Sequence, residues 1–249
     1  MQKQKHTSLQ DIQRLCAIAL FIALAFVSVS FFRIKVDFLT FDIKDAILGV
    51  CALVYGPIAG IVSAITVALI ELSISDTGIY GFIMNALSSM AFVTPAAILY
   101  HKKRTLKRAG IGISLGVVTM VITMLLANMV ITPLFKGWPL SAILPLLPTL
   151  FLPFNLTKGI TNAALLFFIY QPVTDAMKRA KLIPKRQNMT DTPLSSNENS
   201  EVQSQSKKKT TRTVLLASLA VLAVALLCFF FVLGGEADLF TPIFSKAKS

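Results

Sequence analysis

Apolar residues along this chain come in long blocks, not in alternating or one-faced stripes, and polar clusters separate the blocks. A helix needs about 20 mostly apolar residues to cross a bilayer. The blocks predict spans over residues 12–32, 57–75, 81–100, 111–134 and 148–170, and a further uncharged span over 213–233. A shorter block at 46–55 predicts a buried or tilted helix, joined to the next by a tight Gly56-Pro57 turn. Residues 178–212 are rich in Ser, Asn, Gln and Lys without apolar periodicity, which is the composition of a disordered linker. The expected organisation is therefore an N-terminal segment (1–10), a six-helix membrane domain (11–177), a linker (178–212), an additional transmembrane helix (213–234) and a tail (235–249).

Composition supports an all-α integral membrane protein. The 249 residues are 55% hydrophobic and only 14% charged, with a mean hydropathy of +0.71, far too little charge for a soluble surface of this size. Lys3, Lys5 and Arg14 precede an apolar run too long for a signal peptide, so the first span is expected to be retained. The net charge of +12 could indicate nucleic acid, but its distribution argues otherwise. Basic residues gather before span one, in HKKRTLKR between spans four and five, and in KRAKLIPKR and KKKTTR after span six. Those positions share one side of a six-span protein, so the positive-inside rule puts the N-terminus and the linker in the cytoplasm.

With that topology, polar residues within the spans fall in one half of the bilayer. Glu71 ends span three, Asn85 begins span four, Asn128 lies late in span five, and Asn155 and Lys158 lie early in span six. A single intramembrane Asn is often only an interhelical hydrogen bond, and Glu71 could reach the interface or pair with Lys158. Convergence from four spans points instead to a shared polar site facing the outside. Asn155 and Lys158 are three residues apart and project from one helix face. To snorkel, Lys158 would have to reach back about 15 Å along its helix; a cavity opening outward is more economical. Pro153 removes a backbone N–H beside this pair and loosens the helix start. Asn162, one turn deeper, is expected to pack.

The segment FFRIKVDFLTFDIKDA between spans one and two is too apolar for a free loop and too charged to span. It is expected to fold over the outer mouth as a lid, supplying Phe38, Leu39 and Phe41 to the cavity. Other chemistry is absent from the sequence. There is no GxxxxGK[ST] phosphate loop, no HExxH and no CxxC, and the two histidines lie outside the spans, so no metal site is expected. Gly110, Gly112 and Gly116 follow no strand and suit close helix packing, not a nucleotide.

Several stretches together carry a family resemblance. Lys35-Val36-Asp37-Phe38 with Asp42, LVYGPIAGIVSA (53–64), MNALSSMAFVTPAAILY (84–100), Asn128 before Pro133, and LPFNLTKG (152–159) resemble the riboflavin-specific substrate-binding (S) components of energy-coupling factor (ECF) transporters. The resemblance covers about residues 10–175. It implies a non-enzymatic six-helix subunit of the bacterial cell membrane that captures riboflavin from outside. It also implies a transmembrane coupling subunit and two cytoplasmic ATPases as partners. Riboflavin would be cargo, and no cofactor is implied. By the same resemblance the flavin contacts fall on Asn128, Asn155 and Lys158, with the loop around Lys35, Asp37, Phe38 and Leu39 closing the pocket. Ala19 and Ala23, at AxxxA spacing, fit the docking face for the coupling subunit. Alternatives are the same scaffold binding another vitamin, or an intramembrane enzyme using Glu71 or Lys158. The final span is extra to the family's six-helix unit.

Overall fold

The structure, a computed structural model, describes residues 9–102, 106–180 and 182. The expected linker and the span at 213–233 lie outside the described residues. Helix α1 (Leu9–Phe31) leads into a two-stranded antiparallel hairpin, β1 (Ile34–Val36) and β2 (Leu39–Phe41). Helices α2 (Lys44–Tyr55), α3 (Pro57–Glu71), α4 (Gly78–Lys102) and α5 (Leu106–Lys136) follow, then a short α6 (Leu140–Ile143) and the long α7 (Leu152–Arg179). Five of these segments are long and apolar enough to cross a membrane: Asp11–Phe31, Pro57–Ile74, Gly78–His101, Lys107–Lys136 and Leu147–Met177.

The hairpin adds two short strands to an otherwise helical chain. Ile34, Lys35 and Val36 face Phe41, Thr40 and Leu39 across the two strands. Asp37 sits in the turn with φ 52°, a left-handed conformation that Asp tolerates better than most residues. Leu39 and Phe41 then pack with Ile143, Leu146, Leu150, Phe151 and Phe154 into a small core of their own.

Helix α2 is the centre of the bundle. Its 12 residues rise about 18 Å, well short of the roughly 30 Å of hydrocarbon a spanning helix crosses. It can be short because protein encloses it: Leu48, Val50, Cys51, Ala52 and Leu53 are completely buried. Both of its ends are satisfied from elsewhere in the chain. Asn162 of α7 accepts from the Ala46 amide through Oδ1 at 2.9 Å and donates to the Asp42 carbonyl at 2.9 Å. At the other end Arg14 donates to the Tyr55 carbonyl at 2.9 Å, a cation where the helix dipole favours one. The residue expected merely to pack, Asn162, thus caps a neighbouring helix. Gly56 makes the turn into α3 at φ 107°, a conformation costly for any residue with a Cβ.

Helices α4 and α5 approach closely because α5 carries glycines on the shared face. A Cβ on Gly116 would lie 2.3 Å from the Phe92 carbonyl oxygen, and one on Gly112 would lie 3.0 Å from that of Ala96. Gly116→Ala is expected to destabilise the bundle by about 1–3 kcal/mol through overpacking, seen as a lower melting temperature in detergent. An unchanged melting temperature would contradict this close approach.

Candidate functional site

At the hairpin end of the bundle a cavity opens between the hairpin, α4, α5 and α7, enclosing about 610 Å³ up to its open mouth. Phe38, Leu39 and Thr40 form one wall; Tyr80, Met84, Asn85 and Ser88 of α4 form another; Thr132 and Phe135 of α5 form a third; and Phe154, Asn155 and Lys158 of α7 complete it. The surfaces are mostly aromatic and aliphatic, with a few polar atoms set into them.

The mouth is built from aromatic rings. The Phe38 ring lies 6.0 Å from that of Phe151, 6.3 Å from Phe135 and 6.4 Å from Trp138, and the Tyr80 ring lies tilted 5.7 Å from Phe135. Lys136 Nζ sits 4.7 Å above the Phe38 ring, a cation–π contact, and 3.4 Å from the Asp37 carboxylate. On the other side Lys35 hydrogen-bonds Asp76, holding its carboxyl below the ordinary carboxylate range, and Arg33 donates to the Ile74 carbonyl at 3.3 Å. Two exposed ion pairs thus tie the hairpin to both neighbouring rims. Lys35 and Asp37, expected around the pocket, hold the lid at the rim and do not line the cavity.

The sequence-predicted polar residues divide by position. Asn85, Asn155 and Lys158 line the cavity, as do Phe38 and Leu39. Asn128 lies behind the wall, fully buried; its amide donates to the Met124 carbonyl at 2.7 Å and its Oδ1 accepts from Thr132 at 2.9 Å. Met124 and Thr132 themselves face the cavity. Asn155 donates to the Phe151 carbonyl at 2.8 Å, across the π-helical turn Leu147–Phe151 that precedes α7. Pro153, lacking an N–H, sits in that irregular start.

Beneath the cavity lies a buried charge network that the sequence reading missed. Lys158 donates to Asp42 Oδ2 at 2.8 Å and to the Thr40 carbonyl at 3.2 Å. Lys44 donates to Glu71 Oε1 and Oε2 at 2.6 and 2.7 Å and lies 3.9 Å from Asp42. Asn85 donates to Glu71 Oε2 at 2.8 Å, and Ser89 to Asp45 Oδ1 at 2.5 Å. Asp42, Lys44, Asp45, Glu71 and Lys158 are all at most 4% exposed. Glu71 therefore neither reaches the interface nor pairs with Lys158; Lys44 takes it. Nor is Lys44 the solvated loop charge its position suggests, because the first turn of α2 is wrapped by α3, α4 and α7. The available signal was the run Asp42-Ile43-Lys44-Asp45 abutting an apolar helix, matched by a lone acid at the end of span three. Among the described residues no group of His, Cys, Asp or Glu is arranged to hold a metal ion; these acids face lysines.

Sequence comparison places this architecture among known proteins. A sequence model of the family described as "ECF transporter, substrate-specific component" matches residues 13–174. The chain belongs to this family. Riboflavin transporter RibU of Staphylococcus aureus (strain TCH60) is 27% identical over 72% of this chain and all of that protein. Riboflavin transporter FmnP of Bacillus subtilis (strain 168) is 30% identical over 54% of this chain and 76% of its own length. A solved structure described as the S component of a bacterial ECF transporter superposes with a TM-score of 0.58 at 26% identity, covering 68% of this chain and 99% of the other. This S component is thus a multi-pass membrane protein and the substrate-specific part of a transporter, not an enzyme. The intramembrane-enzyme alternative falls accordingly, and both of its candidate groups are committed to buried ion pairs.

Proposed function

We propose that this S component captures riboflavin in the cavity under the hairpin. The observation that carries the reading is the cavity's composition: aromatic and aliphatic walls suited to a flat ring, with Lys158 and the Asn155 amide together on α7. An isoalloxazine ring presents carbonyl and ring-nitrogen acceptors around one N–H donor. An ammonium donor beside an amide oxygen complements that edge, while Phe38, Leu39 and Phe154 cover its faces. The names of both relatives support the same cargo.

The remaining features fit around that activity. The basic segments at 101–108 and 178–186 put the N-terminus in the cytoplasm and the cavity mouth outside. The six-helix unit comprises α1 to α5 and α7, with the span at 213–233 an additional anchor beyond the linker. A transmembrane coupling subunit and two ATPases would supply the energy that a chain without a phosphate loop cannot. Ala19 and Ala23 lie on the exposed side of α1, while Ala17, Phe21 and Ala25 face the bundle; small outward residues let another helix approach.

Titrating purified full-length protein with riboflavin and following flavin fluorescence tests the reading. Saturable quenching at one flavin per chain is expected. Saturable binding of a different vitamin, with no response to riboflavin, would overturn it.

A further inference from the structure

The amides of three asparagines at this end of the bundle have a forced polarity. Asn128 and Asn155 give their NH₂ groups to carbonyls of their own helices, which can only accept. Asn85 gives its NH₂ to Glu71 Oε2 at 2.8 Å. Glu71 is held by two hydrogen bonds from Lys44 and, as a carboxylate, also only accepts. Asn85 lines the cavity, so what a ligand can meet there is its carbonyl oxygen and the second N–H of its amide.

Ser88 is three residues further along α4 and lines the same cavity. It is only 2% exposed, and its Oγ has no hydrogen-bond partner among the described residues. A helical serine ordinarily returns its hydroxyl to the carbonyl four residues back; Ser88 does not. Buried polar atoms are nearly always paired, so an unpaired hydroxyl on a cavity-lining residue marks a place for a ligand atom. Residues three apart on a helix share a face, which sets an acceptor beside a group that can both donate and accept. That sequence of groups suits adjacent hydroxyls on a flexible chain.

We infer that Asn85 and Ser88 form a polyol subsite on α4, and that Glu71, itself anchored by Lys44, is the positioning residue that keeps the Asn85 oxygen turned toward it. The inference rests on the flavin reading above. α7 takes the ring edge through Asn155 and Lys158, and the α4 wall takes the hydroxylated tail. Glu71 touches no ligand; it acts by fixing which end of an amide the tail meets.

Riboflavin and lumiflavin, which carries a methyl group in place of the ribityl chain, separate the two halves of the site. Ser88→Ala and Asn85→Ala are each expected to weaken riboflavin about tenfold, the loss of one good hydrogen bond, while lumiflavin affinity stays within about twofold. Glu71→Gln lets the Asn85 amide turn over and is expected to shift the riboflavin-to-lumiflavin ratio in the same direction. Ser88→Ala removes no charge and keeps the inference testable where Glu71→Gln fails to fold. Equal losses for both flavins, or no loss for either, in Ser88→Ala and Asn85→Ala would overturn the subsite. Wild-type protein that binds neither flavin would overturn the flavin reading itself.

Discussion

Replacing Lys158 by alanine is expected to lower riboflavin affinity by at least about tenfold and to cost about 3–5 kcal/mol of stability. The two losses have different origins. The ligand loses an ammonium donor, leaving a polar atom of the ring unpaired. The protein loses the partner 2.8 Å from Asp42, a carboxylate with no exposure, leaving only Lys44 at 3.9 Å. Removing one member of a buried pair strands the other, which is the expensive case. The double variant Lys158→Met/Asp42→Asn separates the effects, because removing both charges is often nearly neutral. It should recover most of the thermal stability in detergent without recovering riboflavin binding. Asn155→Ala should weaken binding comparably at less cost in stability, since Asn155 carries no charge. Unchanged riboflavin affinity in both Lys158→Ala and Asn155→Ala would sink the assignment of the ring site to α7.

Lys44→Met should be at least as damaging to the fold, by about 3–5 kcal/mol, although Lys44 does not line the cavity. It is 1% exposed and gives two hydrogen bonds to Glu71. Without it, three buried acids (Asp42, Asp45 and Glu71) face one lysine. Low yields of folded protein and a depressed melting temperature are expected. Adding Glu71→Gln removes the stranded charge while leaving a side chain that can accept from Asn85, so Lys44→Met/Glu71→Gln should melt well above Lys44→Met. A double variant no more stable than the single would mean that the pair is not the source of the loss.

The hydrophobic blocks located α3, α4, α5 and α7 well because a membrane-length apolar run has few other readings. The polar residues at one end of those helices were equally legible, since topology alone gathers Asn85, Asn155 and Lys158. The loop before α2 was harder. Its alternation of Ile34, Lys35 and Val36 has the period of a strand, yet three residues per strand carry too little pattern to outweigh a loop reading. Lys35 and Asp37, expected around the pocket, form ion pairs at its rim with Asp76 and Lys136. The charges of Lys44 and Asp45 gave no sign of burial, because loop charges are usually solvated. Whether a charge is buried depends on what encloses it, and α2 is enclosed by segments distant in sequence: Asp42 meets a lysine 116 residues away. The forced orientation of Asn85 was hidden for the same reason, since it requires Glu71 and Lys44 to be found together.

The short central helix sets a dimension of the whole device. Helices α1, α3, α4 and α7 pack against α2, whose 12 residues rise about 18 Å, and the buried ion pairs of its first turn run on to Asn85 and Lys158 in the cavity wall. The cavity wall is therefore tied to the end of a helix that contributes no side chain to it. One more helical turn at the Lys44 end would displace that end by about 5.4 Å, and with it the charges that hold Asn85 and Lys158. The middle helix shapes the cavity without lining it.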